Sequence, residues 1–253
     1  MDVTLDPSLA RGYKSKSQIA RVVTEEWGQR NLYCAACDSA TLRPFQANKR
    51  ARDFECPTCA TTYQLKARRR RGNSVADAGY SAMIEAIRSD RVPALYVLTY
   101  LPTWRVQNLV LVHPAFFSES CIDKRAPLSE HARRARHVLC NILLNRIAPA
   151  GVVPVIDGGT PLPPKVVRER FREAQSLRTI ATQERGWTLD VLRVVQGLPE
   201  SFSLADVYAF EDELRQLHPR NKHVKDKIRQ QLQVLRDLGY IEFLDRGKYR
   251  WIK

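Results

Sequence analysis

The stretch from Asp53 to Gly72 reads DFECPTCATTYQLKARRRRG, and it joins a carboxylate, a CxxC pair, a Gln-x-Lys tripeptide and a run of arginines. The alternating segment TYQLK predicts a strand. Because Gln64 and Lys66 are separated by one residue, a strand would turn both side chains to the same face. An acid followed by Gln-x-Lys is a weak signal on its own, since an ordinary surface strand explains it more often.

Two CxxC pairs are the strongest motif that the residues carry alone. The four cysteines are Cys34, Cys37, Cys56 and Cys59. Four thiolates complete a closed tetrahedral zinc site, which leaves no open position and is therefore structural rather than catalytic. The other two cysteines, Cys121 and Cys140, have no CxxC partner, and we expect them to be buried thiols.

The charge balance favours a polyanionic partner. The 253 residues include 41 Lys and Arg against 27 Asp and Glu, a net charge of +14. This excess indicates nucleic acid or another anionic surface, although a merely soluble basic protein is the alternative. The sequence has no apolar run of membrane-spanning length and no signal-peptide pattern at its N-terminus, so we expect a cytoplasmic protein.

The order of the expected elements divides the chain near residue 180. Strands and helices alternate before that point, which is typical of a mixed α/β domain. The expected helices there cover Ser17 to Trp27, Ser74 to Asp90 and Lys165 to Leu177. The expected strands include residues 94–101, 106–113 and 151–159. The tail reads as three helices (188–196, 203–217 and 222–238) followed by a basic hairpin around Asp245-Arg246-Gly247, the order of a winged helix. The polar segment from Arg178 to Gly186 would connect the two parts.

Several segments together resemble the DpnI-type methyl-directed restriction endonucleases. They are YKSKSQIARVVTEEW, YCAAC, DFECPTC with YQLKARR, APLSEHARRA and, most specifically, KIRQQLQVLRDLGYIEFLDRGKYR. The resemblance runs from about Tyr13 to the C-terminus. It implies an α/β, restriction-endonuclease-like PD-(D/E)xK domain with a structural zinc site over residues 1–180. A winged-helix domain over residues 181–253 would follow.

The resemblance also implies a reaction. DpnI-type enzymes cleave double-stranded DNA at GATC when the adenine carries an N6-methyl group, as type II enzymes of restriction-modification. By this likeness Asp53, Gln64 and Lys66 are the catalytic residues, with Asp53 and Gln64 as magnesium ligands. Gln64 departs from the acid of the general motif but keeps an oxygen acceptor. Methylation-dependent nucleases of the Mrr and MspJI type resemble this Gln-x-Lys variant. His137 is a second departure, where the resemblance implies Trp.

The alternative function is a methyl-DNA-binding regulator whose nuclease centre is inactivated by Gln64. Both functions require DNA contacts, and the first residues of a recognition helix reach base edges in the major groove. The DNA-binding candidates are Asn221, Lys222, His223, Lys225 and Arg229 on that helix, and Lys248 and Arg250 on the wing. Arg68 to Arg71 would meet phosphates or form a solvated loop. The expected partner is a duplex with methylated adenine, bound by a monomer without a protein partner.

Overall fold

The structure, a computed structural model, describes residues 1–45, 52–70, 72–131 and 135–252. The α-helices are α1 (Lys16–Asn31), α2 (Tyr80–Arg88), α3 (Pro164–Glu173), α4 (Thr182–Gln196), α5 (Leu204–Tyr208), α6 (Glu211–Leu217) and α7 (Val224–Asp237). The strands are β1 (Arg43–Pro44), β2 (Phe54–Glu55), β3 (Thr62–Arg68), β4 (Ser74–Gly79), β5 (Ala94–Tyr100), β6 (Val106–Val112), β7 (Ile122–Pro127), β8 (Val138–Leu143), β9 (Val152–Asp157), β10 (Thr160–Pro161), β11 (Ser201–Ser203), β12 (Ile241–Asp245) and β13 (Lys248–Trp251). None of the helices in these described ranges is long and apolar enough to cross a membrane.

Over the described residues, the central sheet has seven strands in the order β1-β2-β3-β5-β6-β9-β10. Strands β3 and β5 pair in parallel, with Gln64 opposite Leu95 and Lys66 opposite Val97. Strand β5 is buried along its whole length. Leu95 and Val97 contribute to one apolar core, while their neighbours Ala94, Tyr96 and Leu98 contribute to the other. A strand covered on both faces is mostly apolar, which is why this segment is predictable from its sequence.

A second sheet has the strand order β4-β8-β7 and packs against α2. Its first strand shows that one expected helix was predicted to begin too early. The segment from Ser74 to Gly79 is strand β4, and only Tyr80–Arg88 is helical. Val75 lies opposite Ile142 of β8, so long-range pairing overrides the local helical pattern. Gly79 occupies the N-cap of α2. A Cβ atom there would lie 2.9 Å from Cε1 of His137, so a side chain at this position would require the His137 ring to move.

The C-terminal part is a helix-turn-helix domain with a wing. Its sheet has the order β11-β13-β12, and the β12–β13 hairpin turns through Gly247 at φ +72°. The expected helix 203–217 is two helices, α5 and α6, which are separated at residues 209–210. Ser203 and Asp206 form a capping box at the start of α5. The expected polar connector is also partly helical, because α4 begins at Thr182. A mixed α/β domain followed by a helix-turn-helix domain confirms the predicted fold class.

The two parts share one continuous apolar core. Met83 of α2, Trp187 of α4 and Ile228 of α7 belong to the same buried cluster. Polar contacts also join the parts: Arg185 forms an ion pair with Asp90 at 2.6 Å. The Ser120 hydroxyl donates to Asp190 at 2.7 Å, and Arg146 pairs with Glu213 at 2.8 Å. The helix-turn-helix domain is therefore packed against the α/β domain rather than tethered to it.

Candidate active site and cysteine cluster

The four CxxC cysteines converge on one point. Their Sγ atoms all lie within 4.8 Å of one another. The Sγ atoms of Cys34 and Cys59 are 3.6 Å apart, and those of Cys37 and Cys56 are 3.5 Å apart. These separations are too long for a disulfide. They approach the spacing of about 3.8 Å that Zn–S bonds of about 2.3 Å give in a tetrahedron. The donor set and its geometry therefore fit a closed zinc site.

Local hydrogen bonds prepare this cluster for a metal. The backbone N–H groups of Thr58 and Cys59 point at Sγ of Cys56, at 3.4 and 3.5 Å. Burial is the largest influence and opposes ionisation of this thiol, but those N–H groups together with the Cys37 and Cys34 thiols lower the pKa of Cys56 to about 6. Burial raises the pKa values of Cys34 and Cys37, so the local hydrogen bonds favour the thiolate that zinc binds at Cys56 in particular.

Tyr63 and Arg168 connect the cysteine cluster to the rest of the domain. The Tyr63 hydroxyl lies 3.1 Å from Sγ of Cys34 and accepts a hydrogen bond from the N–H of Ala35 at 3.0 Å. Arg168 of α3 donates to the carbonyls of Cys34 and Ser39 at 3.0 and 3.1 Å. Because Tyr63 directly precedes Gln64 on β3, the cluster fixes the strand that carries the candidate catalytic residues.

The structure brings Asp53, Gln64 and Lys66 together. Asp53 lies just before β2, which pairs with β3, and its Oδ2 accepts the backbone N–H of Leu65 at 2.7 Å. Leu65 lies between Gln64 and Lys66 on β3. The side chain of Gln64 is buried, whereas that of Lys66 is 28% exposed. The Asp53 carboxylate and the Gln64 amide are oxygen donors, the class that Mg²⁺ prefers, so these residues fit a magnesium ion.

Two acidic side chains that the motif does not include also reach this group. Asp77 of β4 binds both Gln64 and Lys66. Glu25 of α1 lies close enough for its charge to interact with Asp53 and Lys66. The sequence offered no spacing rule for either residue, because each arrives from an element that is distant along the chain. Glu25 lies in a segment that predicts a helix and carries part of the resemblance to the DpnI-type enzymes, but no motif marks Glu25 as a site residue.

Two carboxylates of this site, those of Asp53 and Glu25, have raised pKa values. Burial raises the pKa of Asp53 above its ordinary 3.8, and the nearby Asp77 adds to the shift, while the Leu65 N–H and Lys66 oppose it. Burial likewise raises the pKa of Glu25. A desolvated, acid-rich site of this kind gains from a bound cation, which favours the ionised carboxylates.

This shift predicts a specific pH dependence for the metal-free protein. A carboxyl group with a raised folded-state pKa stabilises the fold below about 3.8 and loses that contribution as the pH rises through its folded-state value. The free energy of unfolding of wild type, minus that of Asp53→Asn, should therefore fall as the pH rises from about 3.8. Added Mg²⁺ should reverse the trend in wild type alone. Urea unfolding at a series of pH values measures both; a pH-independent difference between the two proteins would contradict the assignment.

The candidate DNA-binding residues lie at the start of α7 and on the wing. Asn221, Lys222 and His223 precede the helix, and Oδ1 of Asn221 accepts the backbone N–H of His223 at 2.7 Å. Lys225 and Arg229 are one turn apart on α7. Their cationic groups lie 5.5 and 5.9 Å from the ring centre of Tyr208, a residue that the sequence analysis did not single out.

The wing and the arginine run contain both exposed and paired cations. Lys248 and Arg250 are exposed on β13, and Arg250 pairs with Glu242 across the hairpin. Arg68 donates to the carbonyl of Ser74 at 2.6 Å, so it joins the end of β3 to the start of β4. Arg69 and Arg70 are exposed, and Arg71 lies outside the described residues.

Two cysteines outside the CxxC pairs are buried as expected, and His137 lies beside strand β4. Cys121 and Cys140 are fully buried, which confirms that prediction. The His137 ring lies against Gly79, on the strand that carries Asp77. The residue at which the resemblance implied Trp therefore lies against the end of strand β4, two residues from Asp77 along that strand.

Comparison with known families agrees with both halves of the molecule. Residues 1–180 match the DpnI family, described as the Dam-replacing family. Residues 183–251 match the Dam-replacing HTH domain of the same family. The two matches cover the α/β domain with its cysteine cluster and the helix-turn-helix domain with its wing. The chain belongs to the DpnI-type Dam-replacing family.

Proposed function

We propose that this protein is a magnesium-dependent, type II site-specific endonuclease that cleaves double-stranded DNA at GATC-like sites carrying N6-methyladenine. The observation that carries the proposal is the convergence of Asp53, just before β2, with Gln64 and Lys66 on the paired strand β3, in a chain of this family. A four-cysteine cluster suited to a metal, with two further buried cysteines, suits a reducing compartment, so we place the enzyme in the cytoplasm. We expect it to act as a monomer.

The side chains divide the work of phosphodiester hydrolysis. Oδ1 of Asp53 and Oε1 of Gln64 would hold the magnesium ion, because the other polar atom of each side chain is engaged by Leu65 and Asp77. When bound, the ion supplies Lewis-acid activation of water and of the scissile phosphate. Lys66 presents a cation to the negative charge that develops at phosphorus. Hydrolysis would leave 5′-phosphate and 3′-hydroxyl ends.

The helix-turn-helix domain would supply most of the affinity for DNA. The start of α7 would enter the major groove, while Lys248 and Arg250 of the wing would contact the backbone. Arg250 would exchange Glu242 for a phosphate, which is an inexpensive step because exposed ion pairs contribute little stability. A methyl group is small and apolar, and a close-fitting pocket would leave unmethylated adenine underfilled.

The experiment that tests this function is a cleavage assay on a fully N6-methylated GATC duplex. With magnesium, we expect cutting of both strands at a defined position, and without divalent ions we expect binding alone. Binding of the methylated duplex without cutting, at any magnesium concentration, would reject the enzyme and favour a methyl-DNA-binding regulator. Random nicking throughout the duplex would reject the site-specific assignment.

The position of Lys222 before α7 leads to a prediction about salt. If Lys222 neutralises a phosphate, Lys222→Ala should weaken binding of all sequences alike and reduce the slope of log K against log salt by about one. Lys165→Ala is the matched control, because Lys165 is an exposed lysine on α3 of the other domain. Fluorescence anisotropy over a salt series measures the slopes. A change in sequence preference instead of slope would assign Lys222 to base readout.

A further inference from the structure

Asp77 is a buried carboxylate that the active-site motif does not contain. It lies on β4, where a register shift between Asp77 and Gly79 interrupts the pairing with β8. Such irregularities redirect side chains and are common beside active sites. The side chain of Asp77 has no exposed surface. A carboxylate in that position needs partners, because burying an unpaired charge is costly.

Both partners of Asp77 are candidate catalytic residues. Its Oδ1 accepts a hydrogen bond from Nε2 of Gln64 at 2.8 Å and an ion pair from Nζ of Lys66 at 2.8 Å. Its Oδ2 is buried and has no hydrogen-bond partner among the described residues. The carboxylate is thus directed at the Gln-x-Lys tripeptide rather than at the surrounding fold.

The chemistry of an amide beside a carboxylate fixes the orientation of Gln64. An ionised carboxylate only accepts hydrogen bonds, so Gln64 must turn its NH₂ group toward Asp77. The amide oxygen Oε1 then occupies the opposite position. A glutamine without this partner can present either end to a cation, and its NH₂ end repels one. A glutamate needs no such selection, since both of its ends are oxygens.

We propose that Asp77 is a positioning residue that orients the Gln64 amide, so that a glutamine serves as a metal ligand at the position where the general PD-(D/E)xK motif has an acid. The inference rests on the proposed function, because it concerns the same magnesium site. The same carboxylate holds the ammonium of Lys66, so one buried side chain sets the geometry of two catalytic residues. Outer contacts of this kind orient ligands in many metal sites.

The test is a double-mutant cycle on metal affinity, made with the zinc-loaded full chain without DNA. Mn²⁺ is the probe, because it also prefers oxygen ligands and its free form is measured directly by electron paramagnetic resonance. Asp77→Asn should weaken Asp53-dependent Mn²⁺ binding about tenfold in the Gln64 protein. The same substitution in a Gln64→Glu background should change the affinity by less than about threefold, because orientation no longer matters.

A matched control shows whether a loss of Mn²⁺ affinity comes from the lost orientation of Gln64 or from the removal of any one acidic group from this sheet. Asp123→Asn removes a carboxylate from β7, where Oδ2 of Asp123 accepts from Asn141 at 3.1 Å. We expect unchanged Mn²⁺ affinity for this variant. Equal losses for Asp77→Asn in both backgrounds would overturn the inference, since they would make Asp77 itself a ligand or a remote charge. If the protein binds no Mn²⁺, or if Asp53→Asn leaves its Mn²⁺ binding unchanged, the proposed metal site is overturned instead.

A measurement on the wild-type side chains does not require the Asp77 variant to fold. The two Nε2 protons of Gln64 can be identified by NMR from their loss in Gln64→Glu. Because Nε2 is buried and bonded to Asp77, these protons should exchange slowly with water and persist when Mg²⁺ is added. Rapid exchange, or their release on Mg²⁺ binding, would show that the amide is not held by Asp77 and would overturn the inference.

Discussion

Replacing Lys66 with methionine should lower the single-turnover rate of cleavage of methylated duplex by at least about 10²- to 10³-fold. Methionine retains much of the length of the side chain but removes the cation that stabilises charge at phosphorus. Affinity for the duplex should stay within about twofold, because the proposed binding surface lies on α7 and the wing. Rapid-quench cleavage with excess enzyme measures the rate, and anisotropy measures the binding.

The ion pair with Asp77 makes a folding control necessary for this prediction. Loss of Lys66 leaves a buried carboxylate with Gln64 as its remaining partner, which also lowers stability. The rates should therefore be compared well below the melting temperature, with Lys165→Met as the control for an exposed lysine. Equal cutting by wild type and Lys66→Met would show that the active site has been assigned to the wrong residues.

Replacing Cys56 with alanine should release the metal and destabilise the α/β domain by several kcal/mol. Metal binding contributes directly to folding where a site is assembled from distant segments, and this cluster joins the start of the domain to β3 through Tyr63. Wild type should contain one zinc per chain, without a catalytic role of its own. Elemental analysis and urea unfolding are the measurements.

Cys121→Ala is the matched control for the zinc prediction. Cys121 is as buried as Cys34, but it lies outside the cysteine cluster. This variant should keep its zinc and lose only the small stability that a cavity costs. A folded wild-type protein that contains no zinc would contradict the structural role of the cluster.

The elements that sequence predicted well are those with a local signature. The doubly buried strand β5 is apolar except at Thr99, and α7 carries its core residues Val224, Ile228, Leu232 and Leu235 at helical spacing. The CxxC pairs predict a shared metal site by their spacing alone, and the structure brings the four thiols together. Asp53, Gln64 and Lys66 remain predicted catalytic residues, and the structure places them close together because all three lie on, or directly before, the β2–β3 hairpin.

The missed features depend on contacts between distant segments. Strand β4 carries a helix-like pattern, and only its pairing with β8 makes it a strand. Tertiary packing therefore brings Asp77 into the candidate site, and no motif in the sequence identifies it as a site residue. Helix α4 was placed too late in the chain because its first turn is polar. A fragment that begins at Gly186 would cut through α4 and expose Trp187, so DNA-binding tests require the full chain.

The central claim is that methylation directs the cleavage, and the most direct test compares three forms of one GATC duplex. Wild-type protein with magnesium should cut the fully N6-methylated form fastest, the hemimethylated form slowly and the unmethylated form scarcely at all. If each of two domains reads one methyl group, their preferences multiply, and about 1–3 kcal/mol for each recognition feature already gives strong discrimination. The measurement is the cleavage rate on each duplex at matched salt concentration. Equal rates on all three duplexes would leave a nuclease and contradict the claim that methylation directs it.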